Sequence, residues 1–133
     1  MMYENKYLKY KNKYLQLKMI GGSNPKILKI PDKTESIPPN AFKENKTFTE
    51  VILPEGLKSI GDNAFANTDL QSVIIPLTVT TIGDGAFANN NNLNKVTMPL
   101  HFLKDKNIQT YFNEPIFKSI FGNNFSNICF TFI

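Results

Sequence analysis

The hydrophobic and polar positions in the middle of the chain follow a pattern that returns every 22 or 23 residues. One block joins an isoleucine to a short polar turn and an Ala-Phe pair. It occurs as Ile37-Pro-Pro-Asn-Ala-Phe42, Ile60-Gly-Asp-Asn-Ala-Phe65 and Ile82-Gly-Asp-Gly-Ala-Phe87. A second block keeps the same step, as Phe48-x-x-Val51-x-Leu53-Pro54, Leu70-x-x-Val73-x-Ile75-Pro76 and Leu93-x-x-Val96-x-Met98-Pro99. Blocks that stay in register over three copies indicate a stack of similar coils.

The second block predicts a β-strand in each coil. Val51 and Leu53 alternate with Ile52, so the first two side chains are expected to face the interior and the third to face outwards. Proline then ends the strand because it has no N–H for the ladder. The segment Leu28-Lys29-Ile30-Pro31 has the form of the end of an earlier copy. A single coil cannot bury its own apolar side chains, whereas stacked coils can.

The first block predicts the bend on the other side of each coil. Gly61 and Gly83 are expected to supply a permissive turn after the isoleucine. Asp62 and Asp84 are then expected to cap a short helical turn that carries Ala-Phe. We therefore predict an α/β repeat solenoid with about five parallel strands and short helical turns on the opposite side. An N-terminal helix and a helical C-terminal cap complete this prediction.

These blocks resemble the BspA-like, or Treponema-type, leucine-rich repeat. The resemblance covers residues 26–103 and implies the solenoid fold together with a strand face that commonly binds proteins. Three departures stand out: Pro38-Pro39 replaces Gly-Asp, Asn45 and Asn90 replace the family's frequent Cys, and the second copy is one residue short after Phe65. A buried Asn can bond free backbone groups at the bend, so these changes are compatible with the fold.

The C-terminal segment, residues 104–133, predicts a modified last coil. Ile108 and Phe112, and then Phe117, Ile120 and Phe121, have helical spacing. Pro115 is expected to begin the second of two short helices, and Gly122 to end it. The strand signature then returns as Phe125-x-x-Ile128-x-Phe130. Such a coil would shield the open end of the stack.

The N-terminal arm, residues 1–20, predicts an amphipathic helix followed by a linker at residues 21–25. Its tyrosines recur at steps of 4, 3 and 4 residues and form one narrow stripe flanked by lysines. This arm holds five Lys and one Glu, whereas the remainder of the chain is electrically balanced. The candidate arm contacts are Tyr3, Lys6, Tyr7, Tyr10, Lys11, Lys13, Tyr14 and Lys18.

The arm is similar to an N-terminal segment found on otherwise unrelated proteins of giant DNA viruses of the mimivirus kind. The resemblance covers residues 3–22 and implies a detachable address or processing segment, with the protein in the host cytoplasm or the virion. It makes Gly21, Gly22 and Ser23 a candidate cleavage site, with cleavage after Gly22. Three other readings of the arm stay open: a solvated helix, a helix packed on the first coil, and binding to nucleic acid or an acidic surface. A coiled coil is disfavoured because two heptads are too few.

Composition points away from catalysis. A lone His101 makes neither a metal site nor a triad, and Cys129 is expected to be a small apolar strand residue of a reducing compartment. No residue set for catalysis, a metal or a cofactor is predicted. The basic N-terminal segment lacks the apolar run of a secretory signal, and no stretch of the sequence reaches the roughly 18 apolar residues that a membrane span needs.

The outward strand positions are the candidate protein-binding face. Stacking should align three columns, each with one residue from every copy. These are Thr49, Gln71 and Asn94; Glu50, Ser72 and Lys95; and Ile52, Ile74 and Thr97. Two outward Ile side by side and a mixed, nearly neutral surface favour a protein partner over nucleic acid there. We predict a non-enzymatic interaction or structural module whose partner and oligomeric state the sequence does not specify, with a solvated face as the alternative.

Overall fold

The computed structural model describes residues 26–102 and 115–133, and in it the coils form two parallel β-sheets. The strands are β1 Ile27–Lys29, β2 Ser36–Ile37, β3 Glu50–Ile52, β4 Ser59–Ile60, β5 Ser72–Ile74, β6 Thr81–Ile82, β7 Lys95–Met98 and β8 Cys129–Phe132. The helices are α1 Pro115–Phe121 and the 3-10 helices Leu100–Phe102 and Gly122–Asn127.

Each regular coil contributes one strand to each sheet. The large sheet has the order β1-β3-β5-β7-β8 and the small sheet β2-β4-β6, with parallel pairing throughout. Leu28 lies opposite Val51 and Val73 opposite Val96, so equivalent positions of the repeat stand next to each other. The predicted parallel stack is confirmed, including the earlier copy that ends in Ile30-Pro31.

The phenylalanines of the Ala-Phe blocks stack over one another inside the coils. Ring centroids are 5.2 Å apart between Phe42 and Phe65 and 5.4 Å apart between Phe65 and Phe87, and the rings are nearly parallel. Phe121 adds a fourth ring, 5.6 Å from Phe87. Phe65, Phe87 and Phe121 are buried, whereas Phe42 is partly exposed at the N-terminal end. The predicted common interior is therefore confirmed.

The bends that carry Ala-Phe are successive β-turns, so the predicted short helical turns are wrong. Ala64 N–H donates to the Gly61 carbonyl and Ala66 N–H to the Asn63 carbonyl, each at 3.2 Å. Asn63 and Asn67 have φ of 56° and 57°, the left-handed region that Asn tolerates better than most residues. A left-handed residue within each turn reverses the local backbone twist and prevents a helix from continuing.

The predicted aspartate caps are also wrong. Asp62 Oδ1 accepts a hydrogen bond from the Asp84 N–H of the next coil at 2.9 Å. Asp84 Oδ1 in turn accepts from the Ser119 hydroxyl. These carboxylates therefore link successive coils instead of closing their own turns.

Gly61 and Gly83 are required by the close approach of neighbouring coils, which differs from the expected turn flexibility. A Cβ on Gly61 would lie 2.5 Å from Pro39 N, and one on Gly83 would lie 2.5 Å from Asp62 N. Each glycine N–H also donates to a carbonyl of the preceding coil, Ile37 O or Ile60 O, at 2.8 Å. A side chain at either position would push two coils apart.

The C-terminal segment joins the stack with a register that differs from the predicted one. Helix α1 begins at Pro115, and β8 pairs in parallel with β7. Phe130, and not Ile128, lies opposite Val96. The expected alignment was thus wrong by two residues, because a 3-10 helix over Gly122–Asn127 fills the bend and delays the strand.

Three predicted elements lie outside the described residues. They are the arm helix over residues 3–18, the linker at residues 21–25 and the first C-terminal helix around Ile108 and Phe112.

Candidate interaction face

The candidate face is the outward surface of the large sheet, which we call the outer sheet face. Its columns form because parallel strands place equivalent residues side by side. Gln71 N–H donates to Thr49 O at 2.9 Å, and Asn94 N–H donates to Gln71 O at 3.0 Å. Thr49, Gln71 and Asn94 therefore lie in one row, each directly before the strand of its coil (β3, β5 or β7), as the repeat predicts.

The other two columns extend over more strands than the three regular copies suggest. Ser72 lies between Glu50 and Lys95, and this column continues to Ile27 at one end and Cys129 at the other. The column of Ile52, Ile74 and Thr97 continues likewise to Lys29 and Thr131. The residues at the ends of these columns were not predicted. One of them, Lys29, lies in the segment Leu28-Lys29-Ile30-Pro31 that predicts an earlier copy. For Thr131 the misplaced register of β8 hid the relation.

Exposure varies across the outer sheet face. Gln71, Asn94 and Lys95 are exposed, and Thr49, Ile52, Ile74 and Thr97 are partly exposed. Ile27 is 41% exposed, which is high for an apolar side chain on a sheet. The surface thus combines amide, hydroxyl and ammonium groups with partly exposed aliphatic side chains, a composition typical of a protein interface.

Glu50 and Ser72 depart from the predicted exposure. Glu50 is 3% exposed and Ser72 is 6% exposed, although the residues on either side of them in the column, Ile27 and Lys95, are exposed. The Ser72 hydroxyl donates to Glu50 Oε2 at 2.8 Å, which satisfies part of the carboxylate. Expecting these two side chains to be solvent-exposed was wrong, because strand alternation fixes direction and not burial.

Asn90 organises the bend next to the face, in the role that the sequence predicts for a buried Asn. Its Nδ2 donates to Phe65 O at 2.8 Å and to Phe87 O at 2.9 Å, so it joins two coils. Its Oδ1 accepts from Thr68 N–H at 2.9 Å and from the Thr68 hydroxyl at 2.5 Å. The second copy, which is one residue short, has Thr68 at this position of the bend. The amide of Asn90, from the following coil, therefore bonds the backbone of both coils. Asn45 instead bonds within its own coil, to Thr47.

The two residues with potential for chemistry lie apart from any cluster. His101 Nε2 lies 2.7 Å from the Val79 carbonyl, which fixes that nitrogen as a donor, and its ring contacts Phe102. Cys129 stands exposed on β8, opposite Lys95, so its place on a strand is confirmed while its apolar setting is not. Among residues 26–102 and 115–133, no group of three or more His, Cys, Asp or Glu could hold a metal ion. The candidate arm contacts and the cleavage residues Gly21, Gly22 and Ser23 lie outside the described residues.

Coils that add one strand at a time to parallel sheets, with their aromatic anchors in one ladder, define a solenoid repeat protein. The chain belongs to the BspA-type leucine-rich repeat family, since the model of the BspA type leucine rich repeat region matches six copies over residues 20–131. The match extends beyond residues 26–103 and takes in the C-terminal coil, in agreement with the place of β8 in the sheet. A comparison with curated proteins found no match, and a comparison with solved structures also found none.

Family membership indicates the general class of function. Leucine-rich repeat proteins of this kind are generally non-enzymatic interaction modules. In the described part of the chain, no helix has the length and apolar character to cross a membrane.

Proposed function

We propose that this protein is a non-enzymatic protein-interaction or structural module that binds a protein partner on the outer sheet face. The observation that carries this proposal is the in-register row of Thr49, Gln71 and Asn94 beside the partly exposed Ile52 and Ile74. A rigid stack holds these groups at fixed spacing, so a partner binds without ordering them first. The aliphatic pair would supply the buried contact area, and the amides the directional hydrogen bonds.

The proposal is tested by capturing partners from the native source with matched surface variants of the full chain. The face variant carries Gln71→Glu and Asn94→Asp, which change charge with little change in size. The control carries Thr80→Glu and Thr81→Glu, at exposed positions on or beside the small sheet. A partner of the outer sheet face is retained by wild type and by the control and is lost with the face variant. Equal retention by all three proteins contradicts the proposal.

The last coil would serve this function by closing the C-terminal end of the stack. Phe117, Ile120 and Phe121 of α1 are buried, and the Phe117 ring meets Phe130 of β8 edge-on at 5.2 Å. These contacts cover the interior beyond Phe87 with side chains from one segment. A closed end leaves a lateral surface of the solenoid, such as the outer sheet face, as the place for a partner.

The arm would act as an address or processing segment of a giant-virus protein, removed after Gly22. Support comes from the sequence resemblance of residues 3–22 and from the separation of charge between arm and body. Mass spectrometry of protein from the native source should then show an N-terminus at Ser23. Intact Met1 or Met2 in every molecule contradicts processing.

Nucleic-acid binding through the arm is the second candidate, favoured by its surplus of four positive charges. Lysines would neutralise phosphates and tyrosines would stack on bases, so retention on heparin should fall as salt rises. Changing Lys6, Lys11, Lys13 and Lys18 to Gln in the full chain should abolish retention. Unchanged retention rules this function out.

A further inference from the structure

We propose that the partner of the outer sheet face is an acidic protein segment. Its carboxylates would lie over lysines at the ends of the face, and its apolar side chains would pack between them. The proposal rests on the function proposed above and deepens it by naming the chemistry of the partner. The sequence predicted a nearly neutral face, whereas the folded chain offers positive charge to a partner.

Three lysines stand towards the two ends of the outer sheet face. Lys29 of β1 lies opposite Ile52, and Lys95 stands on β7. Lys26 ends the row before the strands, since its carbonyl accepts the Thr49 N–H at 2.8 Å. All three lysines are exposed, so their ammonium groups are accessible to a partner.

The described carboxylates lie mostly away from this face. Of the eight acidic residues that the structure describes, Glu50 is the one that lies on a strand of the large sheet. Its carboxylate accepts the Ser72 hydroxyl at 2.8 Å, and the residue is only 3% exposed, so it offers little surface to a partner. The accessible charged groups among the described residues of the face are therefore ammonium groups.

The surface between the lysines suits a protein better than a nucleic acid. Ile27 is 41% exposed, and Ile52 and Ile74 are partly exposed. These aliphatic side chains can pack on apolar side chains of a partner but gain nothing from phosphates. Single-stranded nucleic acid is commonly held by aromatic rings on which bases stack. The described outward positions of the large sheet carry no aromatic residue.

The spacing of the lysines sets the form of the partner. Strands β1 and β7 are separated by β3 and β5, which places Lys29 and Lys95 roughly 14 Å apart across the strands. An extended segment that crosses the strands covers this distance with about four residues. An exposed ion pair contributes up to about fivefold in affinity, so three pairs together should contribute about tenfold or more.

Binding of synthetic peptides to the full chain tests the proposed charge and spacing. The probe is a blocked, fluorescent peptide with two Glu at each end and four alternating Leu and Thr between them. The matched peptide has Gln in place of every Glu. Every protein in the test carries Gln at four lysines of the arm, so that the arm adds little to binding: Lys6→Gln, Lys11→Gln, Lys13→Gln and Lys18→Gln. Fluorescence anisotropy should show the acidic peptide binding about tenfold more tightly at low salt, with a smaller difference at high salt.

Charge reversal then locates the binding surface. The face reversal changes the three lysines of the face: Lys26→Glu, Lys29→Glu and Lys95→Glu. The control reversal makes the same change of charge at three exposed lysines that lie on no strand of the large sheet: Lys33→Glu, Lys43→Glu and Lys118→Glu. The face reversal should lose the preference for the acidic peptide and should prefer a peptide with Lys in place of Glu. The control reversal should keep the original preference.

Four outcomes overturn the proposal. They are equal or absent binding of the acidic and Gln peptides, a preference that survives the face reversal, an equal loss of preference in the control reversal, and tighter binding of an oligothymidine of equal charge to the face. The last outcome would assign the face to nucleic acid.

These outcomes are distinct from failure of the proposed function. A partner that is captured through Gln71 and Asn94 but is indifferent to the face reversal contradicts only the acidic chemistry. Peptide binding that depends on the face lysines, without any protein captured from the native source, contradicts only the proposed function.

Discussion

Removal of the Phe65 ring tests the stacked interior most directly. The Phe65 ring is fully buried between two nearly parallel rings. Its centroid lies 5.2 Å from that of Phe42 and 5.4 Å from that of Phe87, and the perpendicular Phe48 ring has its centroid 6.3 Å away. Truncation of a buried Phe to Ala costs about 3–5 kcal/mol. Each aromatic pair adds about 0.5–1.5 kcal/mol beyond burial, so the loss of three partners favours the upper part of that range.

The site also has little freedom to collapse around the cavity. Phe42 N–H donates to Ala64 O, and Phe65 N–H donates to Ala86 O, both at 2.7 Å, so the coils on either side are held at fixed spacing. We therefore expect Phe65→Ala to lower the free energy of unfolding by about 4–5 kcal/mol. Phe42→Ala is the internal comparison, because Phe42 is partly exposed and has a stacked neighbour on one side only. We expect it to cost about half as much.

Urea unfolding followed by far-UV circular dichroism measures both values. Equal m values for wild type and variants show that the difference lies in stability and not in the extent of unfolding. A loss under about 1 kcal/mol for Phe65→Ala, outside the range for a buried ring, would refute the stacked interior. An equal or larger loss for Phe42→Ala would refute the assignment of Phe42 to the end of the ladder.

Two further substitutions test contacts between coils. Gly61→Ala should destabilise by about 1–3 kcal/mol, since its Cβ would overlap the Pro39 backbone. Gly56→Ala, where nothing lies within 4 Å of the added atom, should be close to neutral in the same urea titration. Equal effects would contradict the close approach of the coils. Asn90→Ala leaves the buried carbonyls of Phe65 and Phe87 without the Asn90 amide and should cost about 2–4 kcal/mol. Asn45→Ala, at a less buried bend, should cost under about 1 kcal/mol, and a reversed order would contradict the bridging role of Asn90.

The sequence alone predicted the repeat and the alignment of equivalent residues along the axis of the stack. The recurrence of Ala-Phe and of the proline-ended strand specified parallel coils, the ladder through Phe42, Phe65 and Phe87, and the columns of the large sheet. These follow because a repeat of nearly constant length forces equivalent residues into neighbouring positions once the coils stack. The role of a buried Asn at the bend was also predictable, since an amide both donates and accepts.

Only the tertiary structure decided the interactions between coils. Asp62 has the same neighbours in sequence whether it caps its own turn or reaches the next coil, and the contact with the Asp84 N–H exists only after stacking. The need for glycine at Gly61 arises from the Pro39 backbone, 22 residues earlier in the chain. The burial of Glu50 likewise depends on what surrounds the sheet face. Local pattern fixes the direction of a side chain, whereas distance to another coil and access of water are properties of the assembled fold.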